Sequence, residues 1–357
     1  MASLTFWRRY LGRRVLLTTA PALFGPRDRL IHYEQAPPWR PEQGLAAFVA
    51  ELVRDQRLAE AAPRVRAFLE FWAPIQAYAD RGDVLLEFSF TTNKPGFGVM
   101  MYGENVAMTR AFRRWCRLDG IPAEVADRGA TLCETFEDAA FTMVRAEFRP
   151  GDPPRTSLFS TWLLDPLRWT GGFSARFARL PPAHRSPALA ARVRALEERL
   201  APDYFPLFLG LSLDGGLLLP KLYFVRYAEE APLARGSAVE ALVAELGMNA
   251  GRLAAVRSAY QRLWAASADP MTQILVELPG EAAAPPRINL ITCGTRTGAI
   301  KDLLTELDDP RFDARAVLPF EKMMQTGRAK YAALRLSAEG ISPRVKLYGQ
   351  AAFSLGS

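Results

Sequence analysis

Histidine and cysteine are scarce in this chain. The two histidines, His32 and His184, lie far apart, and the three cysteines, Cys116, Cys133 and Cys293, form no CxxC pair. That leaves little material for a His-based metal centre or a Ser-His-Asp triad. The odd cysteine count also argues against a disulfide framework or a zinc site. No run approaches 18 uninterrupted apolar residues, so no transmembrane helix is expected. Lysine and arginine are scattered, with short pairs such as Arg113-Arg114 and no basic tract, and no recognition motif calls for nucleic acid. The segment FWRRYLGRRVLLTTAPALFG has too short an apolar part, broken by Pro21, to read as a signal sequence. It reads instead as a basic helical arm, with a processed signal as the minority reading, and a cytoplasmic location follows from the first.

What is present is ample apolar material. Of 357 residues 49% are hydrophobic and 23% charged, enough for a large core in one or two domains. The net charge of +7 and a pI near 9.5 favour anionic partners. Helical periodicity runs through residues 43–80 with a break near Ala62-Pro63. Further helices are expected at 104–118, from Ser186 through SPALAARVRALEERL, over GSAVEALVAELG, at 251–266 and at 298–308. Between them lie pairs of alternating strands joined by turn signals, at 84–102, 139–163, 208–227, 271–294 and 331–353. Short connections make each pair antiparallel. The expected fold class is α+β: five hairpins closing into one ten-stranded antiparallel β-barrel, ringed by helices. The expected organisation is an N-terminal arm with packing helices, 1–80, and the barrel, 81–357.

The second strands share a pattern: PRTSLF from 154, PRINLI from 286, PRVKLY from 343 and, with its proline shifted, LPKLYF from 219. One parity collects Arg155, Ser157 and Phe159; Lys221 and Tyr223; Arg287 and Asn289; Arg344, Lys346 and Tyr348. The other parity holds Leu158, Leu222, Leu290 and Leu347. In a barrel jacketed by helices the leucines face the jacket, so the cations and phenols face the lumen. Such a lining is costly unless an anion enters or carboxylates pair with it. Glu87 and Glu277 also lie on strands, so an internal salt-bridge network in a structural barrel is the alternative reading.

With its five hairpin-helix units, and with PKLYF (220–224), VEALVAELG (239–247), RVKLYG (344–349) and LEFSF (86–90), the chain resembles the aromatic prenyltransferases of the ααββ-barrel (ABBA) fold. The resemblance covers about residues 84 to 353, and LEFSF draws it toward the indole and tryptophan dimethylallyltransferase branch. It implies transfer of a prenyl group from dimethylallyl or geranyl diphosphate to an electron-rich aromatic ring by Friedel-Crafts-type alkylation. The first-choice acceptor is an indole or tryptophan derivative, and a phenolic, polyketide or peptide acceptor is the alternative. It assigns Arg145, Arg155, Lys221, Arg287, Asn289, Arg344 and Lys346 to the diphosphate. Tyr223, Tyr348, Phe159 and Trp162 would shield the allylic cation, and Glu87 would bind the acceptor N–H. The nearest approach to a DDxxD magnesium motif, LDDPRFD with Asp308, Asp309 and Asp313, has the wrong spacing. Fixed cations would then neutralise the leaving group, with no metal, no cofactor and no need for Mg²⁺. The expected partners are the two small molecules, with no nucleic acid, no membrane and a monomeric state. The chain departs from the family pattern in GFGVMMY, which lacks an arginine, in Arg155 and Ser157, and in Leu219, Ile291 and Cys293. A non-catalytic barrel that holds an anionic ligand is the rival reading.

Overall fold

The computed structural model describes residues 42–76, 83–92, 94–135, 141–161, 172–179, 186–200, 203–214, 217–227, 233–278, 285–308, 317–324 and 327–354. Among them one order repeats five times: two helices, then a hairpin. The first unit is α1 (Leu45–Asp55), α2 (Ala62–Trp72), β1 (Asp83–Thr91) and β2 (Lys94–Glu104). The second is α3 (Asn105–Leu118), α4 (Ala123–Thr135), β3 (Phe141–Arg149) and β4 (Asp152–Thr161). The third is α5 (Gly172–Arg179), α6 (Pro187–Leu200), β5 (Phe205–Asp214) and β6 (Leu217–Tyr227). The fourth is α7 (Ala238–Ala244), α8 (Ala250–Ala265), β7 (Ser267–Glu277) and β8 (Arg287–Arg296). The fifth is α9 (Thr297–Glu306), α10 (Val317–Met324), β9 (Arg328–Ser337) and β10 (Gly340–Ser354).

The ten strands close into a barrel, each antiparallel to both neighbours, with β1 paired to β10. Closure removes every free sheet edge. The five hairpins fall where the alternating runs placed them. Three helices, α4, α5 and α10, lie in segments where no helix was expected. The break in the first helical stretch falls at residues 56–61 rather than at Ala62-Pro63. Pro63 sits in the first turn of α2, where a missing N–H costs nothing, so it starts that helix. The expected serine cap is present: the Leu189 N–H donates to Ser186 Oγ at 3.3 Å. Ser237 and Asn249 cap α7 and α8 in the same way.

Strand alternation splits the barrel into two faces. The outward set includes Phe88, Val99, Val144, Leu222, Leu290, Leu334 and Leu347, all fully buried under the helices. The expected leucine face is therefore the jacket face at Leu222, Leu290 and Leu347; the side chain of Leu158 lies outside the described residues. Aromatic rings tie the helices down. Phe48 of α1 stands 5.3 Å from Phe88 and 5.0 Å from Phe353. Phe68 of α2 stands 5.3 Å from Trp115 on α3, and Phe173 of α5 meets Phe224 edge-on at 5.1 Å. Cys116 and Cys293 are buried thiols, and burial pushes the Cys116 thiol up to about 12.

All five hairpin turns lie at one end of the barrel and the helical connections at the other. At the helical end, the β1–β2 ladder runs no further than Leu86 opposite Met101. There Gln76 takes over from β2: its Nε2 donates to Leu85 O at 2.7 Å, and its Oε1 accepts from Leu85 N at 2.8 Å. Gln76 is 4% exposed. Replacing it by Leu leaves a buried backbone donor and acceptor unpaired. The expected cost is about 2–4 kcal/mol, read as a lowered urea midpoint; an unchanged midpoint would show that water reaches this end of β1.

Candidate active site

The inward parity carries the unusual chemistry. β6 and β10 run in the same direction, and each places a lysine two residues before a tyrosine: Lys221-x-Tyr223 and Lys346-x-Tyr348. Both ammonium groups therefore lie toward the hairpin-turn end, and both phenols lie deeper. β3 adds Arg145 and Glu147 on the same face, Arg145 opposite Met100 and Glu147 opposite Gly98.

Glu147 is the hub of the charged layer. Its carboxylate accepts from Arg145 at 2.7 Å, from Arg149 at 2.8 Å and from the Lys346 ammonium. Burial acts to raise its pKa, but Lys346, Arg145 and Lys221 outweigh it and hold the carboxyl well below the usual carboxylate range. Arg145, 4% exposed, also donates to Ser89 Oγ at 3.0 Å, and its guanidinium carbon lies 5.7 Å from the Tyr348 ring centre. Gly98 makes room for it. A Cβ there would stand 2.7 Å from Ser89 Oγ and 2.9 Å from Arg145 Nη2. Arg145 thus reaches over a glycine of the neighbouring strand, GFGVMMY, which itself carries no arginine.

A second carboxylate, Glu277, serves the rim. Lys221 approaches it at 3.9 Å and Arg287 at 3.8 Å. The Arg287 side chain is 56% exposed, so this arginine lines the mouth rather than the interior. Asn289 is half-buried on the inward face of β8, opposite Leu275 and Arg335. Arg155 stands in register with Glu147, and Phe159 with Met143 and Gly210. Arg344 lies on β10 where its register against β9 shifts, between Ile341 and Val345. The side chains of Arg155, Phe159 and Arg344, and the whole of Trp162, lie outside the described residues.

Below the cations lies a band of rings. Tyr223, Tyr331 and Tyr348 pack with Leu275, Ile291 and Ala333 in an apolar cluster separate from the outer core. Tyr331 and Tyr348 stand 6.1 Å apart at 75°, and Phe208 meets Tyr223 edge-on at 5.8 Å. The Lys346 ammonium lies 5.7 Å from the Tyr348 ring. Burial raises the pKa of both Tyr223 and Tyr348, so both remain neutral phenols that can donate hydrogen bonds.

Glu87 occupies the inward face of β1, opposite Met100 and Gln350, and is 3% exposed. Its Oε2 lies 3.5 Å from the Lys330 ammonium. The β9–β10 register runs as far as Tyr331 opposite Tyr348. Lys330 and Tyr331 both reach the lumen although they are consecutive, which strict alternation forbids. Burial pushes Lys330 well below the ordinary lysine range, and the Glu87 carboxylate is the counter-charge within reach.

Sequence reasoning missed Glu147, Ser89, Tyr331 and Lys330. Glu147 and Ser89 share parity with Arg145 and Glu87, so alternation alone could have found them. Lys330 carried no such signal, because its direction depends on where β9 leaves β10. Among the described residues no three His, Cys, Asp or Glu side chains are grouped to hold a metal, and no helix is long and apolar enough to cross a membrane.

The sequence matches no family model and no curated protein. Solved structures do match. A 6-dimethylallyl tryptophan synthase aligns over 89% of this chain and 97% of its own, with a TM-score of 0.59 and 14% identity. AnaPT from Neosartorya fischeri aligns over 97% and 99%, with a TM-score of 0.60 and 11% identity. The 5-dimethylallyltryptophan synthase from Streptomyces coelicolor aligns over 86% and 97%, at 0.58 and 15%. The fold is that of the aromatic prenyltransferases. The ααββ barrel expected from the sequence rhythm is therefore the observed one.

Burial lowers the Lys346 pKa from 10.5 to about 7, with Arg145 and Lys221 adding to the effect and Glu147 opposing it. Between those two values the unfolded chain holds a proton at this site that the folded chain lacks. Stability contributed by this site therefore rises with pH across that window and is level below about 7. The groups facing Lys346 are Glu147, Arg145, Lys221 and Tyr348. The denaturation midpoint of the wild type minus that of Lys346→Met should climb from neutral pH upward; a flat difference would mean Lys346 titrates as a free lysine.

Proposed function

We propose that this chain transfers a prenyl group from an allylic diphosphate to an electron-rich aromatic acceptor. The observation that carries this reading is the layering of the lumen: buried fixed cations stand directly above a band of three phenols. An allylic diphosphate has the same polarity, with an anionic head and a greasy tail whose allylic carbon becomes a cation.

In this reading Arg145, Lys221 and Lys346 bind the diphosphate, with Arg287 at the mouth, and Arg155, Asn289 and Arg344 as further candidates. Arginine offers forked donors to phosphate oxygens and lysine a point charge. The C–O bond breaks with its electron pair staying on the leaving pyrophosphate. Preorganised cations in a water-poor lumen stabilise that developing charge. Tyr223, Tyr331 and Tyr348 present ring faces to the allylic cation, each worth about 0.5–2 kcal/mol, and keep water from it; Phe159 and Trp162 remain candidates for the same role. The acceptor ring carbon then bonds to the allylic carbon and its proton departs, which restores aromaticity. Glu87, held near Lys330, is assigned to orient the acceptor's N–H or O–H. A prenyltransferase of this fold, PriB, has been solved with L-tryptophan and dimethylallyl thiolodiphosphate. That likeness, with LEFSF, supports an indole or tryptophan derivative as the first acceptor to test, with phenolic, polyketide and peptide acceptors next. The reading includes action without Mg²⁺ and as a monomer.

A second reading has a specific observation behind it. Glu147 and Glu277 already neutralise part of the cation layer, as they would in a barrel that binds an anion without chemistry. The deciding experiment is incubation with dimethylallyl or geranyl diphosphate, indole and phenol acceptors, and excess EDTA, read by mass spectrometry. The expected product is heavier by one prenyl unit and forms despite the chelator. Anion binding without product across the panel would favour the binding barrel. Lys221→Ala or Lys346→Ala should each reduce turnover at least about a hundredfold with the melting temperature little changed, since each removes a charge-assisted contact made most strongly to the departing pyrophosphate. Full turnover in both variants would remove the assignment of the diphosphate site.

A further inference from the structure

Glu147 stands where a cation-lined anion site has least use for a carboxylate. It lies on the inward face of β3, and Arg145, Arg149 and Lys346 all converge on it. Lys221 lies close enough to help hold it ionised. Any diphosphate held by Arg145, Lys221 and Lys346 must share those donors with it. Two roles are open to such a group. It can hold the cations in position, in which case its loss weakens anion binding. Or it can compete with the anion for them, in which case its loss strengthens binding.

The geometry decides between these. Arg145 does not depend on Glu147 for its place: it also donates to Ser89 Oγ at 3.0 Å, rests in the slot left by Gly98 and faces the Tyr348 ring at 5.7 Å. Lys346 lies 5.7 Å from the same ring and is carried by a strand paired on both sides. The basic groups would keep their places without the carboxylate, and at a pH low enough to keep Lys346 protonated, since Glu147 is what opposes its deprotonation, the negative charge acts on a bound polyanion mainly by repulsion.

We propose that Glu147 is a built-in competitor for the diphosphate: it satisfies the cation cluster between turnovers and loosens its grip on the pyrophosphate product. The inference rests on the prenyltransferase reading and adds to it a residue that sets product release. It also accounts for why so basic a lumen need not be trapped by abundant inorganic anions. Each phosphate-binding donor must first give up an internal carboxylate, and only a ligand with several anionic oxygens in reach of three cations can outbid it.

The test is calorimetric titration of the full chain with inorganic pyrophosphate, for the wild type, Glu147→Gln and Glu147→Asp. Removing one unit charge a few ångströms from the anion should tighten pyrophosphate binding by about tenfold or more in Glu147→Gln. Pyrophosphate should then inhibit that variant at correspondingly lower concentration. Glu147→Asp, which keeps the charge but shortens the reach, should stay within about threefold of the wild type. This second variant keeps the test decisive if the Gln variant fails to fold, because a tenfold loss of affinity in it would show a purely positioning role. Equal or weaker binding by Glu147→Gln overturns the inference and leaves the proposed function standing, provided the wild type binds pyrophosphate. If neither protein binds pyrophosphate, the anion site is misplaced and both readings fall together.

Discussion

Charge sealed inside a closed barrel has to be neutralised by something that is also inside. That constraint governs the interior of this molecule. A ten-stranded barrel jacketed by helices removes its lumen from bulk water, and an isolated buried cation there would cost several kcal/mol. Four inward basic side chains accordingly stand beside carboxylates: Arg145 and Lys346 beside Glu147, Lys221 beside Glu277, and Lys330 beside Glu87. The carboxylates keep the charged lumen tolerable, and on the proposed function they are also what the diphosphate has to displace or share.

The second governing feature is direction. Because every hairpin turn lies at the same end, all even-numbered strands run the same way through the barrel. A short motif repeated on them therefore presents its residues in the same order from the turn end inward. In each Lys-x-Tyr step the ammonium lies nearer the turn end than the phenol, by about 7 Å at 3.3–3.4 Å per residue. This layering is a consequence of topology acting on a three-residue pattern. It places ammonium groups and phenol rings a few ångströms apart, which the proposed function uses for the head and tail of an allylic diphosphate.

The likeness to solved prenyltransferase structures at 11–15% identity has a physical reading. The shell between barrel and helices is built from Leu, Val, Ile and Phe, which can be exchanged widely if volume and pattern are kept. What holds the architecture is the alternation on ten strands and the stripe on each helix, neither of which needs a particular residue. Arg145 of β3 reaches across β2 into the space that Gly98 leaves open.

The sequence by itself determined the hairpins, their antiparallel pairing, the closed barrel and the two faces. Each follows from period-two alternation and turn chemistry, which are local. It also marked Lys221, Tyr223, Lys346, Tyr348 and Glu87 as inward residues, because parity within one strand can be counted. Helices α4, α5 and α10 escaped notice; α5 and α10 span only eight residues each, too few for periodicity to stand out. Tertiary structure alone decided the partnerships: which carboxylate meets which cation, that Gly98 seats a guanidinium from the next strand, and that Lys330 turns inward beside Tyr331. Those outcomes depend on register between strands far apart in the chain and on where two strands cease to pair. Neither is written in the residues of any one strand.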